Sequence, residues 1–295
     1  MEFGKLSTEE LNAQKFNLPP DAPQTTSLLQ RQKKSATQIY VGCAKWGRKD
    51  WIGTIYPEKT KEKDFLKLYA EQFNSIELNA TFYRLPTVKQ VTPWRKQVGD
   101  EFRFCPKVSQ KITHIKRLKE ADEFTSVFVK GITSFGETLG PVFLQLPPNY
   151  APKNFDVLKS FIESFPTTIR MFVELRNAKW YESEISDQLF TMFENLNACA
   201  VLTDVVGRRD LLHMRLTTPE VFIRFVGNDL HPTDYKRVDD WVQRIKLWID
   251  QGIQNVYFFM HQNEEINSPK LARYVIQELN KHCGTSLLEP QFISD

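Results

Sequence analysis

The sequence predicts one α/β domain, a (β/α)8 barrel of the TIM type, and three observations predict it. From Gln38 onward, short apolar or β-branched runs alternate with longer segments of helical period, the pattern of repeated βα units on a parallel sheet. Eight such runs can be counted, and eight parallel strands with intervening helices close most simply on themselves. The loop after the first run, Gly42-Cys43-Ala44-Lys45-Trp46-Gly47, lacks the glycine spacing of a dinucleotide-binding turn. That counts against the runner-up, an open doubly wound sheet.

The strands are read at 39–43, 75–79, 102–106, 142–146, 170–174, 199–203, 221–225 and 256–260, each bounded by turn-forming residues. Between them the pattern predicts helices near 62–73, 87–97, 121–138, 154–164, 184–195, 234–250 and 268–282, several entered through Asp, Ser or Thr as a cap requires. The sixth and seventh strands begin only 22 residues apart by this reading, so the segment from Arg208 to Met214 has room for a short sixth helix alone.

Residues 1–36 are polar, with Pro19, Pro20, Pro23, a Gln/Thr/Ser run and Lys33-Lys34, and cannot bury enough apolar surface to fold alone. They are expected to form an arm, flexible or wrapped on the barrel, which occupies 37–295. The whole chain of 295 residues is 41% hydrophobic and 25% charged, ample for one large core. A formal charge of +3 is too mild to argue by itself for nucleic acid or membrane. Cys43, Cys105, Cys199 and Cys283 are widely spaced, and the first three lie in apolar runs, so they read as reduced core residues. No secretory leader pattern and no run of about 18 apolar residues is found, so a cytoplasmic location and no membrane partner are expected.

Several segments together resemble the YecE-like family, α/β-barrel proteins known as a domain of unknown function, DUF72. They are VGCAKWGRKDWIGTIYP (41–57), YAEQFNSIELNATFYRLP (69–86), FRFCPKVSQKITH (102–114), FLQLPPNY (143–150) and FVELRNAKWY (172–181), about the first half of the barrel. The family commonly carries Arg-Phe-His-Gly on its seventh strand where this chain has Arg224-Phe225-Val226-Gly227, and an Asn-rich ending where this chain has Met260-His261-Gln262. The resemblance implies the barrel and supplies no reaction, because fold does not carry function.

Active sites of such barrels lie at the C-terminal ends of the strands. Taken in turn, the strand exits offer Lys45 and Trp46, Glu77 and Asn79, Lys107, Gln145, Glu174 and Arg176, Asp204, Arg224, and His261. Period two places Glu77 and Asn79 on one side of their strand. If Glu77 and Glu174 point inward, two carboxylates face each other and can divide acid and base roles; the plainer reading is a Glu–Arg pair that plugs the barrel. Lys107 ends the third strand in a Phe-rich setting and reads as a Schiff-base amine, a base or an anion clamp, or plainly as an exposed loop lysine. His114 follows it and, alone, often only satisfies a local hydrogen bond.

Five histidines, one per locality, leave little for a metal; a mixed set of Glu77, Glu174, Asp204 and His261 is geometrically possible in a barrel mouth for a divalent ion, and no cofactor is predicted. Cations interleave with aromatics after the first and fifth strands, including Trp46, Trp51 and Trp180. That pattern suits an anionic ligand carrying flat or sugar rings. The preferred reading is an enzyme, a hydrolase or lyase, whose mouth holds a phosphate-bearing substrate on Lys45, Lys107, Arg176 and Arg224, with Glu77 or Glu174 as general acid–base. The rival is a non-catalytic nucleic-acid-binding protein that stacks bases on the indoles. A carbohydrate-active hydrolase, using both glutamates with Trp platforms, ranks third.

Overall fold

A computed structural model of the protein describes residues 4–33 and 35–293. Its β-strands are β1 (Gln38–Cys43), β2 (Ser75–Leu78), β3 (Arg103–Pro106), β4 (Val142–Gln145), β5 (Met171–Glu174), β6 (Cys199–Val205), β7 (Glu220–Val226) and β8 (Asn255–His261). Eight strands therefore stand where eight were read, each boundary within two residues. Six form one parallel sheet in the order β1-β8-β7-β6-β5-β4, and β2 pairs with β3 in a second parallel sheet. The ladder is thus six strands plus two rather than an unbroken ring of eight.

Side chains stand in where the ladder is interrupted. The Asn74 amide accepts from the Val41 N–H and donates to the Ile39 carbonyl, both at 2.8 Å, so one side chain occupies the hydrogen-bonding edge of β1. The Tyr69 hydroxyl accepts from Cys43 N–H at 2.7 Å and donates to the Ser75 carbonyl at 2.9 Å. A Cβ on Gly42 would sit 2.0 Å from the Ser75 carbonyl oxygen, so only glycine lets the two backbones approach this closely. On the other side, Lys107 and Phe143 form an isolated parallel bridge between the end of β3 and β4.

The first two helices, α1 (Thr8–Ala13) and α2 (Pro23–Gln30), precede β1. They are tied to the body by the Thr25 hydroxyl on the Met214 carbonyl, by Arg209 on the carbonyls of Phe16 and Asn17, and by Asp21, which pairs with Arg244 and accepts from the Trp248 indole. Lys34 and residues 1–3 of the expected arm lie outside the described residues. Along the sheet follow α3 (Phe65–Ala70), α4 (Ala80–Tyr83), α5 (Val88–Arg95), α6 (Asp122–Ile132), α7 (Phe155–Ser164), α8 (Ser183–Asn195), α9 (Pro232–Gln251) and α10 (Ser268–Cys283). α9 has the clearest sequence logic: Pro232 at its first position, the His231 ring accepting from Thr233 N–H, and Gly252 in the left-handed region just past its end.

The helix expected over 121–138 is α-helical only to Ile132 and continues as 3-10 turns over Thr133–Thr138, kinked at Gly136 with φ 55°. The short sixth helix is only a 3-10 turn, Val206–Leu211.

Alternation along the strands sorts the core into two compartments. One side of the sheet packs on the helices through residues such as Val41, Phe104, Leu144, Ile223 and Phe258. Tyr40, Cys105, Phe143, Phe172, Val201, Phe222, Tyr257 and Phe259 form a separate, largely aromatic cluster on the other side. The same parity carried one step toward the strand ends places a polar layer on that aromatic floor.

Candidate functional site

That polar layer is Glu77, Lys107, Gln145, Glu174, Thr203, Arg224 and His261, all buried, contributed by β2 through β8. Arg224 lies at its centre. Its Nε and Nη2 donate to the two oxygens of Glu77 at 2.7 and 3.0 Å, and its Nη1 donates to Glu174 Oε2 at 2.8 Å. Its guanidinium lies 5.0 Å from the Phe143 ring centroid. Further partners serve the same carboxylates: Asn79 donates to Glu77 Oε1 at 2.9 Å, His261 Nε2 lies 3.1 Å from Glu77 Oε2, and Arg176 Nε donates to Glu174 Oε1 at 2.7 Å. Behind His261, its Nδ1 faces Glu265 at 3.5 Å.

Charge compensation dominates the proton equilibria here. Burial pushes Glu77 up, but Arg224 and His261 overrule it and hold the carboxyl well below its usual range. Glu174 behaves alike, with burial opposed by Arg176 and Arg224 and a net fall. His261 ends above the ordinary histidine value, since the Glu77 carboxylate outweighs the cost of burying its charge. Both glutamates are therefore anions that accept hydrogen bonds and have no spare proton near neutrality.

Lys107 is the exception in the layer. It ends 8% exposed, and its Nζ donates to Gln145 Oε1 at 2.8 Å while lying 4.2 Å from the Phe82 ring centroid and 5.3 Å from that of Phe143. Burial and the nearby Arg224 charge, against the pull of Glu77 and Glu174, bring its ammonium down to about 7. Its loop continues into a single π-helical turn, Lys111–Ile115, a rare geometry that carries His114 to the rim. The His114 Nδ1 pairs with the Thr113 hydroxyl at 2.8 Å, its ring meets Phe82 edge-on, and burial with the Lys107 and Arg176 charges lowers it to about 4.

The structure thus brings together Glu77, Asn79, Lys107, Gln145, Glu174, Arg176, Arg224 and His261, with His114 beside them. Lys45 is exposed, close enough to Glu265 for its charge to be felt there. Three expected residues are elsewhere. Asp204 follows Thr203 on β6 and so faces the helices, where it pairs with Arg209 and Arg237 and accepts from the Trp241 indole at 2.7 Å. Trp180 is fully buried, donating to the Tyr150 carbonyl at 2.6 Å and stacked on the Tyr150 ring. Trp46 packs edge-on to Trp94 and Phe104 on the helix side of β3.

The mixed metal set consequently does not assemble, since Asp204 faces away and Arg224 stands between the glutamates. Among the described residues no group of three or more His, Cys, Asp or Glu side chains could hold a metal ion. Nor is any helix among them long and apolar enough to cross a membrane. The residues that exit reading missed are Thr203, Phe82 and Phe143. Carrying the period of two from Val201 would have found Thr203, whose buried hydroxyl has no hydrogen-bond partner. A surface recess lined by Thr167, Arg170 and Asn197 lies at the opposite strand ends.

Comparison with known proteins agrees with this architecture. The profile of the family described as "Protein of unknown function DUF72" matches residues 40–292. UPF0759 protein YecE of Escherichia coli (strain K12) is 25% identical over 264 residues, 82% of this chain and 93% of the relative. UPF0759 protein YunF of Bacillus subtilis (strain 168) is 26% identical over 167 residues, 53% of this chain and 57% of the relative. Crystal structures of DUF72 family proteins superpose with TM-scores of 0.65 for that of Enterococcus faecalis V583 and 0.64 for that of Thermotoga maritima MSB8. They are 17% and 24% identical and cover 85% and 84% of this chain and 99% and 100% of their own. The fold, the order of the motifs and the profile match agree: this chain belongs to the DUF72 family.

Proposed function

We propose that the strands act as a closed (β/α)8 barrel whose polar end is the active site of an enzyme that takes a phosphate-bearing, anionic substrate and moves a proton with Lys107. The observation that carries this reading is the state of Lys107: a buried amine with a proton affinity near neutrality, no carboxylate partner, and a fixed strand-end position. Closure is supported by the Asn74 and Tyr69 hydrogen bonds that bridge β1 and β2.

An anionic substrate is supported by charge. With Lys107 protonated and His261 neutral, the layer sets three cations, Lys107, Arg176 and Arg224, against two carboxylates; behind it Glu265 is a third carboxylate and Lys45 a further cation, and Arg117 adds a charge felt at His114. Sequence reading gave the acid–base role to Glu77 or Glu174. The arrangement favours Lys107, because a carboxylate held down by two cations is a weak base and cannot serve as an acid. The glutamates then fix Arg224 and Arg176, and each of their four oxygens already accepts a hydrogen bond.

The rival readings have less to support them, although Trp46 is only half-buried. Nucleic-acid stacking needs open indole faces, whereas Trp51 and Trp180 are fully buried. Glycoside hydrolysis needs one carboxylic acid with a raised proton affinity, and both glutamates move the other way.

The test is a turnover screen over phosphate esters and phosphorylated sugars with the intact protein and Lys107→Met, which keeps the apolar packing on Phe82 and Phe143. Turnover with a pH limb near 7 that vanishes in the variant is expected. Turnover that survives undiminished in Lys107→Met would overturn the assignment.

A further inference from the structure

We infer that Lys107 is a covalent amine: it forms an imine with the carbonyl carbon of an aldehyde or ketone that also carries a phosphate. This rests on the anionic-substrate reading and narrows the substrate to a phosphorylated carbonyl compound.

Geometry separates this role from that of an ion-pairing lysine. Two carboxylates share the layer with Lys107, yet all four of their oxygens are engaged: Glu77 by Arg224, Asn79 and His261, Glu174 by Arg176 and Arg224. Neither forms an ion pair with Nζ. The amine is left with one neutral acceptor, Gln145 Oε1, and with aromatic rings from α4 and β4 around it. A buried amine with no carboxylate bonded to it and aromatic rings beside it keeps a share of free base, and the free base is the nucleophile. The charged groups acting on it are Arg224 and Arg176, which favour loss of its proton, and Glu77 and Glu174, which oppose it.

A phosphorylated carbonyl compound meets two further needs of this site. Arg176 and Arg117, from the loops after β5 and β3, bring positive charge for the phosphate: Arg176 acts on both Lys107 and His114, and Arg117, which also holds Asn149, acts on His114. In the same inward layer, the Thr203 hydroxyl is 2% exposed and without a partner, a donor reserved for an oxygen that a ligand would bring. The step balances without any oxidant. The Nζ lone pair bonds to the carbonyl carbon, the carbonyl π pair moves to oxygen, and the proton lost from nitrogen is matched by one gained on oxygen. The resulting carbinolamine hydroxyl takes a second proton and leaves as water, giving the iminium. Added borohydride would deliver hydride to the iminium carbon and leave a stable secondary amine.

The experiment incubates the intact protein with dihydroxyacetone phosphate or glyceraldehyde 3-phosphate and borohydride, then maps adducts by peptide mass spectrometry, with and without excess inorganic phosphate. The expected result is a reduced adduct at Lys107 ahead of the exposed Lys111 and Lys179, suppressed by phosphate. Adducts spread over exposed lysines with Lys107 unmodified would overturn the inference. In parallel, acylation of Lys107 in the unmodified protein is followed against pH, which needs no variant to fold. If Lys107 acylates with a midpoint near 7 and phosphate protects it, yet no carbonyl adduct forms, the imine fails while the anion-site reading stands. If phosphate gives no protection and Lys107 acylates only near the ordinary lysine value, both fail.

Discussion

Arg224 and Glu77 meet across the interior of the protein from β7 and β2, through two hydrogen bonds of 2.7 and 3.0 Å, and neither side chain reaches solvent. This pair fixes the guanidinium that also holds Glu174, so one arginine joins both glutamates of the polar layer.

Replacing Glu77 by Gln should therefore be costly. It leaves the Arg224 charge buried with a partner lost, and the expected loss is about 3–5 kcal/mol at neutral pH, read from urea unfolding. The folded proton affinity of Glu77 lies below its ordinary value of 4.5, so its contribution is full above that value and fades as pH falls through the folded one. The gap between the two proteins should accordingly narrow on acidification below about 4.5. A gap that widened in acid would contradict the pairing.

Lys107→Met should behave in the opposite sense. The folded lysine releases its proton near 7 and the unfolded one near 10.5, so between these values the unfolded chain binds more protons and rising pH stabilises the native protein. Below 7 the cost of burying the ammonium is fully present. The variant should gain on the native protein most at or below pH 7, and the advantage should shrink toward pH 10, offset throughout by the lost Gln145 hydrogen bond of about 1 kcal/mol. Unfolding curves at three pH values check this.

The two imidazoles of the site should titrate on opposite sides of the ordinary histidine value. His261, raised by Glu77, contributes stability below the ordinary value that is lost as pH rises through the folded one; His114, brought down to about 4, stays neutral across the neutral range. Imidazole NMR reads both. In Glu77→Gln the His261 midpoint should fall, because burial then acts on it without the carboxylate.

How much of this was legible in the sequence depended on parity. The eight strands were readable because each is a short run of apolar and β-branched residues between turn formers, and Glu77, Lys107, Glu174 and Arg224 followed from their places near strand ends. Asp204 was misplaced because its strand runs on to Val205, two residues past the end read from the apolar run, so the residue taken for an exit lies inside the strand with its side chain turned outward. Trp46 and Trp180 could not be placed, since an indole beside lysines looks the same in sequence whether it faces a ligand or closes a loop. The commitment of both glutamates to Arg224 was also hidden, because their partner lies 147 and 50 residues away.

Asp204→Asn tests that correction. Its carboxylate compensates Arg237 and Arg209 beneath α9, so the change should lower stability by about 3–5 kcal/mol and leave ligand binding untouched. Weakened ligand binding in a folded Asp204→Asn protein would return Asp204 to the site.

The most direct measurement is calorimetric titration of inorganic phosphate into the intact protein, Lys107→Met, Arg176→Gln and Asp204→Asn at one low salt concentration. The account predicts saturable binding to the intact protein and to Asp204→Asn, with affinity reduced about tenfold or more in the other two, the equivalent of roughly 1.4 kcal/mol or more for each lost charge-assisted contact. No binding to the intact protein, or equal binding by all four, would contradict an anion site at the polar end of the strands.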